Sequence, residues 1–277
     1  MPVPSSAVAD AYARLTEVLP GLTVTEPSPG EPIPDGDGWT SAASLAAGGS
    51  GLDAFLAWDD AQVLRDYGTR ARPDVVASFG LHRYAWPACL LFTAPWFLHR
   101  RVPRLPVTRV SYDRTAGRMA VRPAAFACLP GDPAATLPGA RVVRDEEALR
   151  AELRSAVAEH LEPVLAGFGP RMRRRGRALW GMATDEIVEG LWYVAHLLGE
   201  QQRAVRELEL LLPGATRPYV GSAAFRELTG PDGESLPTRD RASCCMFYTV
   251  RPEDPCVTCP RTRDADRIAK LTATAAG

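Results

Sequence analysis

The chain has 277 residues, with 32 Lys plus Arg against 33 Asp plus Glu and a formal net charge of −1. That length buries a sizeable core without disulfide or metal staples. The balanced charge supplies neither the basic field of a nucleic-acid binder nor an acidic tail that mimics nucleic acid, so no nucleic-acid partner is expected. Lys270 is the only lysine; a GC-rich genome explains the bias most simply, and the functional reading is a surface that forks onto anions.

The opening residues, MPVPSSAVADAYARLTEVLP, read as a Ser-capped amphipathic helix rather than a cationic leader with an apolar stretch and a cleavage site. Residues 20 to 38 are dense in proline and glycine, which predicts a loop or arm without regular structure. From Trp39 to about Leu105 the pattern is helical, with Leu52, Phe55, Leu56 and Leu64 along one face. Pro87 and Pro95 are expected to kink or divide the second helical segment. The apolar run from Tyr84 to Leu98 is shorter than the roughly 20 residues a bilayer requires. A soluble cytoplasmic protein without a transmembrane segment is expected, and a reducing cytosol argues against a disulfide framework.

Alternation on both sides of DRTAG predicts a β-hairpin, with Val107, Val110, Tyr112, Met119 and Val121 supplying apolar surface. GARVVRDEEALRAEL reads as a short strand entering a helix, with Asp145 as N-cap and a run to about Leu165. A second helical region follows GFGPRMRRRGR and extends to about Leu212, and a short helix is predicted around GSAAFREL. DADRIAKLTATAAG closes the sequence as a short amphipathic helix. His82, His99, His160 and His196 show no ligand spacing, and His196 on its apolar helix reads as a satisfied core histidine.

Four of the six cysteines, Cys244, Cys245, Cys256 and Cys259, fall within sixteen positions on the connection before that last helix. Four soft thiolates suit zinc or iron with sulfide. Adjacent Cys244 and Cys245 fit poorly on the single tetrahedron of a zinc site, whose thiols come in pairs separated by two to four residues. A two-iron cluster spreads its terminal sites over two metals; the spacing leaves open which iron each thiol takes. Cys89 and Cys128 sit in apolar runs and read as buried small hydrophobes.

The order Cys-Cys, ten residues, Cys, two residues, Cys-Pro, with MFY after the first pair, resembles the C-terminal signature of the FhuF-like ferric-siderophore reductases. RALWGMATDEIVEGL is similar to the tryptophan-glycine helix start of that family, with Met182 where many members have asparagine. The resemblance implies a 2Fe-2S cluster held by Cys244, Cys245, Cys256 and Cys259. It implies a cytoplasmic electron-transfer protein that reduces ferric siderophores and releases ferrous iron. The alternatives are a zinc-stabilised binding module and a cluster-based redox sensor.

The fold expected is α+β: mostly helical, with a small antiparallel β-sheet. Residues 1–212 form a helical body and residues 213–277 a C-terminal 2Fe-2S-binding segment. No phosphate loop, GxSxG elbow or HExxH motif is present. Electrons are therefore expected from a ferredoxin- or flavodoxin-like protein donor. Arg239, Arg241 and Arg251, with Arg261 and Arg263, flank the cysteines; they read as a solvated rim or as groups that stabilise the cluster's charge and dock a donor or an anionic chelate.

Overall fold

The structure is a computed structural model and describes residues 6–28 and 30–275. In chain order the elements are α1 (Ala9–Val18), β1 (Thr23–Thr25), β2 (Thr40–Ser41), α2 (Ala42–Ala47), α3 (Ser50–Tyr67), α4 (Pro73–His99) and β3 (Arg101–Arg104). There follow β4 (Val110–Asp113), β5 (Arg118–Val121), β6 (Ala125–Cys128), β7 (Ala140–Val142), α5 (Glu146–Met172), α6 (Gly176–Leu197) and α7 (Gln201–Leu211). The C-terminal part holds β8 (Phe225–Thr229), β9 (Ser235–Arg239) and α8 (Asp264–Ala275). The fold is α+β and mostly helical.

Helix α4 is the axis of the core. From Val75 to Phe97 most of its residues are buried, and it packs against α5 on one side and α6 on another. Its two internal prolines neither divide it nor end it, contrary to the sequence expectation. Pro95 has no N–H for the Leu91 carbonyl, and the Tyr12 hydroxyl from α1 donates to that oxygen at 3.0 Å. A non-local partner thus repairs the break that local sequence predicts.

Three small sheets lie around the helices. The first runs β1-β5-β4-β2, the second β3-β6-β7, and β8 pairs only with β9. Most pairings are antiparallel, but β1 runs parallel to β5 and β7 parallel to β6. The β4–β5 hairpin forms where alternation predicts it, with Val110, Met119 and Val121 buried. Asp145 caps α5 by accepting from the Ala148 N–H at 2.8 Å.

Several other expectations change. Val24, inside the predicted irregular arm, lies in β1 and pairs with Met119. Val8, not a serine, occupies the N-cap position of α1, while the Ser6 hydroxyl accepts from the Val8 N–H; residues 1–5 lie outside the described part. On α3, Leu64 is exposed and Val63 takes the buried place. Helix α5 passes Leu165 and ends at Met172, because Phe168 and Met172 continue its buried face. Gly167 permits this course: a Cβ there would collide with the Leu45 carbonyl at the end of α2.

The helix predicted to reach Leu212 is divided at Gly199, which adopts φ 73° between α6 and α7. GSAAFREL is not a helix. Its second half is strand β8, whose register with β9 runs from Phe225–Arg239 to Thr229–Ser235. His196 is exposed, and the core histidine is instead His160, bonded to the Tyr84 hydroxyl and the Leu105 carbonyl. Among the described residues no helix is long and apolar enough to cross a membrane.

Candidate metal centre

Helix α6 carries three acids, Asp185, Glu186 and Glu189, on a mostly buried face. Burying carboxylates is costly unless each is paired and hydrogen-bonded, and the partners here come from the chain on either side of the cysteines. Arg239, at the end of β9, is fully buried. It donates to Asp185 Oδ1 at 2.8 Å, to Glu189 Oε1 at 2.9 Å and to the Ala223 carbonyl at 3.1 Å. Asp185 also accepts from the Ala242 N–H at 2.9 Å and from both the N–H and the hydroxyl of Ser243 at 2.8 Å.

One carboxylate therefore fixes the backbone up to the residue before Cys244. Helix α6 runs directly alongside this backbone: a Cβ at Gly181 would touch the Ala242 carbonyl oxygen at 3.4 Å, an ordinary contact. The far side of the segment is held by Arg267 of α8, also buried, which donates to Asp240 Oδ1 at 2.8 Å and to the Cys259 carbonyl at 3.3 Å. Thr258 adds a hydroxyl bond to Glu189 Oε1 at 2.9 Å.

Within this frame all four thiols are free and gather as two pairs. Cys244 Sγ lies 4.0 Å from Cys259 Sγ, and Cys245 and Cys256 lie close enough that each acts on the other's ionisation. Cys259 is buried and the other three are half-buried. Backbone donors face the sulfurs: the Met246 N–H reaches Cys244 Sγ at 3.3 Å and the Arg261 N–H reaches Cys259 Sγ at 3.5 Å. Met246 adopts φ 67° to make this turn, a left-handed conformation that costs a non-glycine residue of order 1 kcal/mol.

The Cys245 thiol is lowered to about 5, first by its bond with Cys256 and then, against burial, by the Arg241 guanidinium, the Phe247 N–H and His82. The same bond, with burial, pushes Cys256 up. Arg241 lies 3.6 Å from Asp185 and 3.8 Å from Glu186, too far for hydrogen bonds. Its buried Nε and NH2 groups have no hydrogen-bond partner within the chain. Orphaned cationic donors beside a clustered thiolate set fit a bound group that carries negative charge.

Four clustered cysteines with N–H groups directed at sulfur and a guanidinium in waiting fit an iron–sulfur cluster in donor type and in charge. Among the described residues no three His, Cys, Asp or Glu side chains group as a single-ion site.

Residues 241–261 match the family model for the FhuF 2Fe-2S C-terminal domain. The match indicates a 2Fe-2S cluster, and the FhuF-type segment spans the same stretch that Asp185 and Arg267 clamp. No curated protein matches the chain.

The arginines around the four cysteines divide by burial. Arg239 and Arg241, expected at a docking rim, are turned inward; the Arg241 side chain is 7% exposed. They neutralise the α6 acids and present no surface to a partner. Arg251 is partly exposed and pairs with Glu253, Arg261 lies over the Tyr248 ring, and Arg263 pairs with Asp266. Cys89 and Cys128 are buried.

Sequence reasoning did not single out Asp185, Glu186, Glu189 or His82. Glu186 is buried and bonds the His82 ring Nδ1 through both oxygens, at 2.7 and 2.8 Å. Burial opposes charge on His82, but the Glu186 carboxylate outweighs it and raises the imidazole pKa. Acids in an otherwise apolar helical face were the available signal, because such groups stay buried only with partners.

Proposed function

We propose that this protein is a cytoplasmic reductase of ferric siderophores whose 2Fe-2S cluster is held by Cys244, Cys245, Cys256 and Cys259, with residues 213–277 as the cluster-binding segment. The observation that carries the reading is the pairing of the thiols, Cys244 with Cys259 and Cys245 with Cys256, beside the orphaned Arg241 donors. Two pairs suit two metals, one pair to each iron. A zinc module takes all four thiols at one tetrahedral centre, which adjacent Cys244 and Cys245 fit poorly. When bound, the cluster supplies a one-electron couple.

The surrounding residues set its working conditions. Arg241 and the N–H groups of Met246 and Arg261 favour the more negative, reduced state and so raise the potential. Asp185 and Arg267 hold the segment rigid, which keeps the reorganisation on electron transfer small. The substrate's chemistry does the rest. Hydroxamate or catecholate oxygens hold the trivalent ion far more tightly than the divalent one, so one added electron loosens the chelate. No acid, base or nucleophile is needed.

The electron comes from a ferredoxin- or flavodoxin-like partner. Its docking face is the basic turn between α5 and α6, where Arg173, Arg175 and Arg177 are exposed. That turn adjoins the cysteine segment: Arg72 shares a cavity with Arg173 and reaches Met246 Sδ at 3.9 Å. A basic surface of this kind steers an acidic donor.

The test is reoxidation. Protein reduced anaerobically and freed of reductant is mixed with ferric siderophores of hydroxamate, catecholate and carboxylate type while the visible cluster spectrum is followed. At least one of them returns the oxidised spectrum under this reading; a fully loaded protein that ignores all three classes refutes it.

A further inference from the structure

The turn between α5 and α6 carries four arginines in five positions, Arg173, Arg174, Arg175 and Arg177. Among the described residues none of them pairs with a carboxylate, whereas Arg171, just before them, pairs with Asp53. Beside this turn lies a cavity of about 560 Å³ between the end of α5 and the start of α6. Buried Leu165 and Leu179 form its floor, half-buried Trp180 is one wall, and Ala166 lies exposed at its edge. Trp180 belongs to the tryptophan-glycine pair near the start of α6, and nothing in the hold on the cysteine segment uses its ring.

Three of the arginines, Arg173, Arg174 and Arg175, line the cavity against one carboxylate, Glu162, so its rim keeps a net positive charge. The floor is different in kind. No buried side-chain polar atom of the lining residues lacks a partner, so nothing inside orients a small polar ligand. Apolar surface ringed by guanidinium groups is instead the anatomy of a protein interface, with charge at the rim and apolar anchors at the centre, where Trp and Arg concentrate binding energy. One pocket of this size suits the small contact areas of transient redox pairs.

The cavity lies at the end of α6 that meets the cysteine segment. Gly181, next to Trp180, runs beside Ala242, two residues before Cys244. Arg174 reaches Met182 Sδ at 3.8 Å. Arg173 shares a second cavity with Arg72, whose guanidinium approaches the side chain of Met246, two residues after Cys244. A protein seated on this end of α6 therefore stands next to the segment that carries the thiols.

We infer that this cavity is the anchor of the donor interface: it receives the apolar loop tip of an acidic electron-transfer protein, whose carboxylates surround that tip and pair with Arg173, Arg175 and Arg177. The inference rests on the reading of the turn as the donor's docking face and adds what the donor must present. Charge alone admits any acidic protein; an apolar pocket inside the basic rim admits one with a matching tip. The two parts act at different stages. The arginines steer the encounter, and the desolvated contacts in the cavity slow dissociation. In the complex one electron passes from the donor, which is oxidised, to the loaded protein, which is reduced.

Binding is measured apart from electron transfer by titrating the oxidised, cluster-loaded protein with an oxidised acidic plant-type ferredoxin and an oxidised acidic flavodoxin in a calorimeter at two ionic strengths. Ala166→Phe fills the cavity, and Ala166→Glu places a carboxylate in it; both alter an exposed helical position, so the fold survives. Each is expected to weaken the donor that binds by about tenfold or more. The Ala166→Phe loss persists as salt is raised, whereas the loss from charge reversal at Arg173, Arg175 and Arg177 shrinks. Ala151→Phe, exposed near the start of the same helix, leaves affinity unchanged. Wild-type affinity in both Ala166 variants overturns the inference; if charge reversal still weakens binding, the docking face itself stands. Failure of both proteins to bind the wild type overturns the cavity and the docking face together, while the cluster assignment stands. Free FMN that binds more tightly than either protein, and is lost in Ala166→Phe, also overturns the inference, because the cavity then holds a phosphate-bearing small molecule.

Discussion

Asp185 Oδ2 accepts hydrogen bonds from both the backbone N–H and the hydroxyl of Ser243, each at 2.8 Å, so a residue of α6 positions the residue next to Cys244. Its other oxygen binds the buried Arg239 and the Ala242 N–H. Removing this carboxylate strands a buried guanidinium, a change that costs about 3 kcal/mol; Glu189 still holds Arg239 and keeps the loss near that value. Asp185→Ala is expected to lower urea stability by this amount and to make the segment between Arg239 and Arg263 more readily cut by trypsin than in the wild type.

Each thiol of the two pairs is expected to be needed. Cys244→Ser, Cys245→Ser, Cys256→Ser and Cys259→Ser lose the cluster's visible absorption and most of its iron and sulfide, while Cys89→Ser and Cys128→Ser, at buried positions in the helical body, keep both. Iron and acid-labile sulfide assays on the purified variants decide this, and a normal spectrum in Cys245→Ser contradicts the assignment of adjacent ligands.

The basic turn gives a kinetic expectation. Charge reversal at Arg173, Arg175 and Arg177 together slows reduction by an acidic donor protein by about tenfold or more at low salt, and the difference shrinks as ionic strength shortens the Debye length. Stopped-flow reduction at several salt concentrations measures it. Reduction by a small reagent such as dithionite stays unchanged.

His160 sets a pH dependence of stability. Burial holds its imidazole down at about 4, below the ordinary value of about 6.5 in the unfolded chain. The unfolded state thus binds the extra proton between those values. Stability is complete above about pH 6.5 and falls as pH drops towards 4, by up to about 1.4 kcal/mol per pH unit. Unfolding free energies of wild type and His160→Gln from pH 7 to 4 check this: the variant's curve is flatter across the window.

What the sequence made legible was local. The β4–β5 hairpin, the Asp145 cap and the cysteine quartet are written in adjacent residues and were readable as such. The helix predicted at GSAAFREL failed because alanine, glutamate and leucine favour helix locally, while pairing with β9 decides the outcome. The intact α4 depends on a tyrosine 79 positions away from the carbonyl it satisfies. The site followed the same rule: the thiols announced themselves, but Asp185 meets Ser243 across 58 residues and His82 meets Glu186 across 104, and both contacts exist only in the fold. Arg239 and Arg241 looked like a rim because nothing in their neighbours shows the acids of α6 waiting for them.

The central claim, that the protein delivers an electron to siderophore-bound ferric iron, is tested most directly by a single turnover. Protein reduced to one electron per cluster, without excess reductant, is mixed anaerobically with ferric siderophores of hydroxamate, catecholate and carboxylate type in turn and a ferrous-specific chromogenic chelator. The account predicts one ferrous ion captured per cluster oxidised, with the Cys256→Ser protein releasing none. A cluster that stays reduced while no ferrous iron appears contradicts it.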